Sequence, residues 1–288
     1  MADSLREASA ERPVRRERIP PFVGSVARVF DLSLGQMLWS ARSVVLAILL
    51  GMPVLMAALI RILLALLPRM SQGIRIGGPG LFGIIMWLLY IRIIIPILGV
   101  FYGTSLIADE VDDKTLTYLF TRAMRRSAVL IGKFIAYIAC TVLLVLPSVV
   151  VVFFLVVPIG GGSIGGSFPA LIQDLGMLVV GLIGYGALFA WVGARLKRPL
   201  LIGLVFAFGW EPAVLVLPGF LKHATLAYYL QALVPHVMPQ ESTVTLLVRV
   251  VQSAPSVKTS LTVLALITLA ALSSAARAVE TREYVLEE

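Results

Sequence analysis

In a chain that is 59% hydrophobic and only 14% charged, the residues able to do chemistry stand out one by one. Asp109, Glu110, Asp112 and Asp113 are followed in the same segment by Arg122, Arg125, Arg126 and Lys133, an arrangement suited to docking by charge rather than to bond making. Arg92 and Glu211 interrupt long apolar runs. A charge there is costly against lipid, so both should face the protein interior or a water-filled path, as an ion pair or toward a substrate. Two plainer roles stand beside these: Arg92 bound to backbone carbonyls, and Glu211 capping a helix next to Pro212. Gly161-Gly162-Ser163-Ile164-Gly165 fits the G-x-S-x-G nucleophile pattern, with His223 and His236 as the only histidines. That chemistry needs a strand-to-helix elbow and an oriented base, whereas this stretch reads as a Gly-rich loop. Cys140 is alone, which excludes disulfides and thiolate metal sites, and no other metal-ligand cluster is expected.

The elements that must position these residues are membrane helices. Val44–Leu67, Leu81–Ala108, Ala128–Val157, Leu171–Ala194, Leu200–Leu217 and Thr259–Ala276 are apolar runs. Each is long enough to cross a ~30 Å hydrocarbon core at ~1.5 Å per residue. Helices satisfy their own backbone groups where water is absent, and the alternating ~10-residue segments of a barrel are missing. The sequence therefore predicts an all-α integral membrane protein with six transmembrane helices over residues 43–278.

Residues 1–22 are Arg-rich and polar, end on a proline pair and contain no signal-peptide core, so a disordered cytoplasmic arm is expected. Over 23–42, Val23, Val26, Ala27, Phe30, Leu34, Met37, Leu38 and Ala41 recur at helical spacing. Arg28, Asp31, Gly35 and Arg42 lie opposite, with Leu32 and Trp39 intruding. This predicts an amphipathic helix on the membrane surface, or else an extension of the first span. Pro158–Pro169 reads as a flexible external loop. In Gly219–Val257, "FLKHATLAYYLQALVP" and "STVTLLVRVVQ" read as short amphipathic or re-entrant helices. Gly186, Ala190 and Ala194 form a small-residue stripe for close helix packing. Arg61 should snorkel at the outer end of its span, with Asp174 also at the outer boundary.

Basic residues are distributed unevenly between the two sides. The N-terminal segment, the second loop (Lys114, Arg122, Arg125, Arg126, Lys133), the fourth loop (Arg195, Lys197, Arg198) and the tail (Arg277, Arg282) hold most of the 24 Lys and Arg. Only Arg69, Arg75, Lys222, Arg249 and Lys258 fall on the other side. The positive-inside rule then places both termini, including the 279–288 tail, in the cytoplasm, with the second and fourth loops. The net charge of +8 is accounted for by topology, and nucleic acid is not an expected partner.

Read as a helix, Glu110–Thr121 begins with acids and is followed by bases, which complements the helix dipole by about 0.3–1 kcal/mol each. Leu116, Leu119 and Phe120 make an apolar patch on a loop too short to bury it, so it should lie on the membrane or enter a partner's groove. Gly103–Phe134, "GTSLIADEVDDKTLTYLFTRAMRRSAVLIGKF", resembles the signature of the permease subunits of type-2 ATP-binding-cassette (ABC) transporters. Glu110, Thr115, Leu116, Leu119, Arg126, Gly132 and Lys133 match that pattern, and Lys114 stands where the family usually has Gly. "GWEPAVLVLPGFLKHATLAYYLQAL" is similar to Trp-Glu and Leu-Pro-Gly features near the fifth span of that family.

The resemblance implies a coupling helix, formed here by Glu110, Lys114, Thr115, Leu116, Leu119, Phe120, Arg122 and Arg126, that seats in a separate ATPase. It implies two ATPase subunits binding ATP and Mg, a homodimer or a pairing with a similar permease, lipid contact and accessory subunits. The expected setting is a bacterial cytoplasmic membrane and the expected activity is export. No cofactor is expected in this chain: Gly132-Lys133 runs into Phe134, and no G-x-x-x-x-G-K-[ST] occurs. Leu32–Gln36 echoes the ATPase signature without a nucleotide-binding fold around it. Alternatives are an ATP-independent secondary transporter or channel, which would carry polar residues through several spans, lipid movement or mechanical coupling without a solute, and a membrane serine hydrolase.

Overall fold

The computed structural model describes residues 22–66, 77–107, 126–216, 220–233 and 255–281. Among these every regular element is helical. The chain enters through α1 (Phe22–Leu38) and turns at Trp39-Ser40 into α2 (Ala41–Leu66). Ser40 Oγ donates to the Met37 carbonyl at 3.1 Å, and Ser43 Oγ donates to the same oxygen. Those hydroxyls satisfy a helix-terminal carbonyl and make the corner, so α1 and α2 are two helices rather than one extended span.

α3 (Gly78–Ile107), α4 (Arg126–Val156) and α5 (Ile164–Arg195) follow, then the shorter α6 (Pro199–Val214), the short α7 (Leu226–Gln231) and α8 (Val257–Thr281). Among the described residues, α2, α3, α4, α5 and α8 provide five helices long and apolar enough to cross a membrane. Of the run read as a fifth span, Leu200–Leu217, residues 200–214 lie in α6, whose described length is shorter than that of the other five. α6 opens with Pro199 in its first turn, where the missing N–H costs nothing.

α5 begins well before the expected Leu171. Ser163 caps it, its Oγ accepting from the Gly166 N–H at 3.2 Å. The stretch expected to be a flexible loop to Pro169 is therefore a tight turn followed by helix. Gly160 (φ 69°) and Gly161 (φ 80°) occupy the left-handed region that the turn requires.

α1 does not use its whole apolar stripe in one way. Its buried line is Ser25, Val29 and Ser33, set against α4. At Gly132 an added Cβ would come within 2.9 Å of both the Val26 carbonyl and Val29 Cβ, so glycine there sets how closely the helices approach. Phe30, Leu34 and Met37 are half-buried, while Val23, Leu32 and Trp39 remain exposed.

In the bundle, α5 is the central helix. Gly186 on α5 leaves the space filled by the Tyr137 ring of α4, whose hydroxyl donates to the Leu182 carbonyl at 3.0 Å. Gly99 and Gly103 on α3 lie against Tyr185 and Phe189 of α5. Ala190 and Ala194 are buried, as a small-residue stripe for close packing should be. Polar cross-links add to this. Tyr90 Oη and Ser148 Oγ lie 2.7 Å apart, Ser148 donates to the Leu50 carbonyl at 3.1 Å, and Trp191 Nε1 donates to Ser274 Oγ at 3.0 Å. Each such bond between membrane helices contributes about 0.6 kcal/mol. Arg61 does not simply snorkel: its Nη1 donates to the Leu155 carbonyl at the end of α4, at 2.9 Å.

Candidate functional site

The predicted coupling residues Glu110, Lys114, Thr115, Leu116, Leu119, Phe120 and Arg122 lie outside the described residues, and Arg126 is described only as the first residue of α4. The two intramembrane charges fall inside the described bundle. The structure assigns them different surroundings.

Glu211 sits on α6 and is 3% exposed. It follows a π-helical turn, Val205–Trp210, and π turns are uncommon features that gather at functional sites. One carboxylate oxygen accepts from the Tyr185 hydroxyl of α5. The other accepts from the backbone N–H of Leu226, the first residue of α7, at 3.1 Å. The carboxylate thus caps α7 and ties it to α5 and α6, which is the capping role weighed from the sequence beside Pro212.

α7 is the first of the two segments read as amphipathic or re-entrant. Leu226, Ala227, Tyr228, Tyr229 and Leu230 are all buried, and an added Cβ at Gly181 or Gly184 of α5 would meet Leu230 or Leu226. It is packed into the bundle rather than laid on the membrane surface. The second segment, "STVTLLVRVVQ", lies outside the described residues.

Arg92 lies at the middle of α3, inside the π-helical turn Met86–Ile94. Its guanidinium carbon is 5.0 Å from the centre of the Trp87 ring, a cation–π placement. Nε is shut away with no hydrogen-bond partner. Glu211 lies close enough to act on it through space, yet both carboxylate oxygens are already bonded to Tyr185 and Leu226. The anticipated ion pair is therefore an electrostatic neighbourhood without a direct bond, and Arg92 is not bound to backbone carbonyls either. The node comprises Arg92 and Trp87 on α3, Tyr185 on α5, Glu211 on α6 and Leu226 on α7.

Sequence reasoning found the two charges and missed Trp87 and Tyr185. Trp87 lies five residues before Arg92, a spacing the wider π turn brings into register; a regular α-helix puts residues three and four apart together. Tyr185 carries no signal in the sequence that connects it to a carboxylate on another helix. Asp174, expected at the outer boundary, is wholly buried on α5. Ser163 is a helix cap with its oxygen turned to a backbone N–H, in a helix–turn–helix setting and not a strand-to-helix elbow. His223 packs its ring against Tyr228 at 5.0 Å. Among the described residues no group of His, Cys, Asp and Glu is placed to hold a metal.

The family described as ABC-2 family transporter protein matches residues 27–279. No curated protein matches the chain.

Proposed function

The chain belongs to the ABC-2 family of transporter proteins, and from that membership we propose that it is the permease half of an ABC exporter in a bacterial cytoplasmic membrane. It is a multi-pass membrane subunit of a transport system and not itself the catalyst. The family match across nearly the whole helical body carries the reading.

Six passes complete the topology. α6 makes the fifth crossing, α7 folds back into the bundle near the outer side, and α8 returns to the cytoplasm. Parity supports this, because it leaves the Arg-rich N-terminal segment and the tail with Arg277 and Arg282 on one side, as the positive-inside rule asks. α1, with Arg28 and Asp31 exposed, lies at the cytoplasmic surface against α4.

ATP and Mg belong to a separate ATPase. Two copies dock on the Glu110–Arg126 segments of two permease halves, either a homodimer or this chain with a similar one. Leu116, Leu119 and Phe120 form the apolar knob. Glu110, Lys114, Arg122 and Arg126 fix its register by charge, and Thr115 lies in the same segment. Closure of the ATPases then swings the halves and alternates access to a path between them. Affinity capture of the full-length chain from its native membrane should bring down a protein containing a Walker-type G-x-x-x-x-G-K-[ST] loop, one copy for each permease half. Capture of the intact permease with no such chain, under conditions where it transports, would overturn the reading.

A further inference from the structure

An arginine at the centre of a membrane helix needs something to hold, and among the described residues nothing accepts a hydrogen bond from its Nε. The guanidinium keeps its charge and offers five N–H donors in a planar fork. No described residue accepts a hydrogen bond from Arg92, and Nε is enclosed and orphaned. The guanidinium lies over the Trp87 ring, which accepts no conventional hydrogen bond from its donors. Glu211 offsets part of the charge from a distance, while its own oxygens are committed to α5 and α7. Arg92 is only half-buried, so the outer end of the fork is open. One turn outward on the same helix, Leu88 is 47% exposed and continues that open face as apolar surface. Hydrocarbon supplies no acceptor at this depth. A charged fork beside an exposed apolar strip is complementary to an amphiphile, with a polar oxygen-bearing head for Arg92 and a chain to lie along Leu88.

We propose that Arg92 is a specificity-determining residue of the translocation path, binding the anionic phosphate- or carboxylate-type head of an amphiphilic substrate whose apolar body lies along the Leu88 face of α3. This names a substrate class for the permease read above and rests on that reading. Arginine suits the task because its fork meets two oxygens of such a head at once, which lysine does not reproduce. Glu211 and Tyr185 set the place: tied to each other and to α7, they leave the guanidinium polarised and unbonded.

The test is equilibrium binding to the purified full-length chain in discs of uncharged lipid. The probes are a lysophosphatidic acid and a monoacylglycerol with the same acyl chain. The wild type should bind the phosphate amphiphile about tenfold more tightly than the neutral one, equivalent to about 1.4 kcal/mol. R92Q should bring that ratio close to one, and R92K should retain part of it. Equal affinity of the wild type for both probes, or an undiminished ratio in R92Q, would overturn the proposal. Inorganic phosphate that displaces the amphiphile at matched concentration would assign the site to a free anion and overturn the amphiphilic class. Should R92Q fail to fold, the R92K ratio and the phosphate competition still decide. ATPase capture is read separately, so a lost head-group preference with the ATPase still bound removes the substrate class and leaves the permease standing.

Discussion

Replacing Leu119 and Phe120 together with Asp should release the ATPase and abolish transport, while the permease still inserts and unfolds at the wild-type temperature. The two side chains are the apolar end of a segment otherwise rich in charge, between Asp109–Asp113 and Arg122–Arg126. In a partner's groove they are desolvated, and a carboxylate placed there has no counterion of its own. The cost of burying unpaired charge is several kcal/mol, so affinity should fall by about 100-fold or more. The proposed topology keeps the segment outside the membrane helices, so the bundle should not register the change. Co-purification of the ATPase with the double variant, together with normal transport, would remove the docking role from these residues.

The second large effect concerns Glu211. Glu211→Ala should destabilise the bundle by about 3–5 kcal/mol, the range for removing one partner from a buried charged network. The Tyr185 hydroxyl and the Leu226 N–H would both lose their acceptor. Arg92 would lose the opposite charge that offsets its own. α7 is too short to persist without its cap and its packing. Its stretch, Leu226–Gln231, should therefore become open to protease in detergent while the long helices remain. Glu211→Gln keeps an amide oxygen for one of the two donors and should cost less. Thermal unfolding and limited proteolysis of the two variants read this directly. If Ala and Gln are equally harmless, the carboxylate is not the tie between α5, α6 and α7.

The crossing helices were legible because a membrane span writes itself as an unbroken apolar run, and five of the six runs match helices of crossing length. What failed to read was punctuation. "GGGSIGG" has a linker's composition, yet Ser163 is a cap and Ile164 the first helical residue, so α5 begins several residues before Leu171. α7 was legible as a short non-spanning helix, amphipathic or re-entrant, and the structure packs it into the bundle. Its burial depends on a carboxylate fifteen residues earlier that closes the helix start, a tertiary fact. Arg92 and Glu211 declared themselves by being charged among apolar neighbours. Their partners did not, since Tyr185 and Trp87 are ordinary residues for a membrane helix and are recruited by helix packing and a π turn.

The most direct measurement is the accessibility of the docking segment itself. Cys140 is the only cysteine and is fully buried in α4, so a Lys114→Cys variant presents a single reactive thiol. With a membrane-impermeant maleimide, intact cells should leave position 114 unlabelled. Inside-out vesicles stripped of the ATPase should label it, and adding the ATPase back should protect it. Labelling from outside the intact cell, or labelling indifferent to the ATPase, would contradict a cytoplasmic segment through which another subunit drives this bundle.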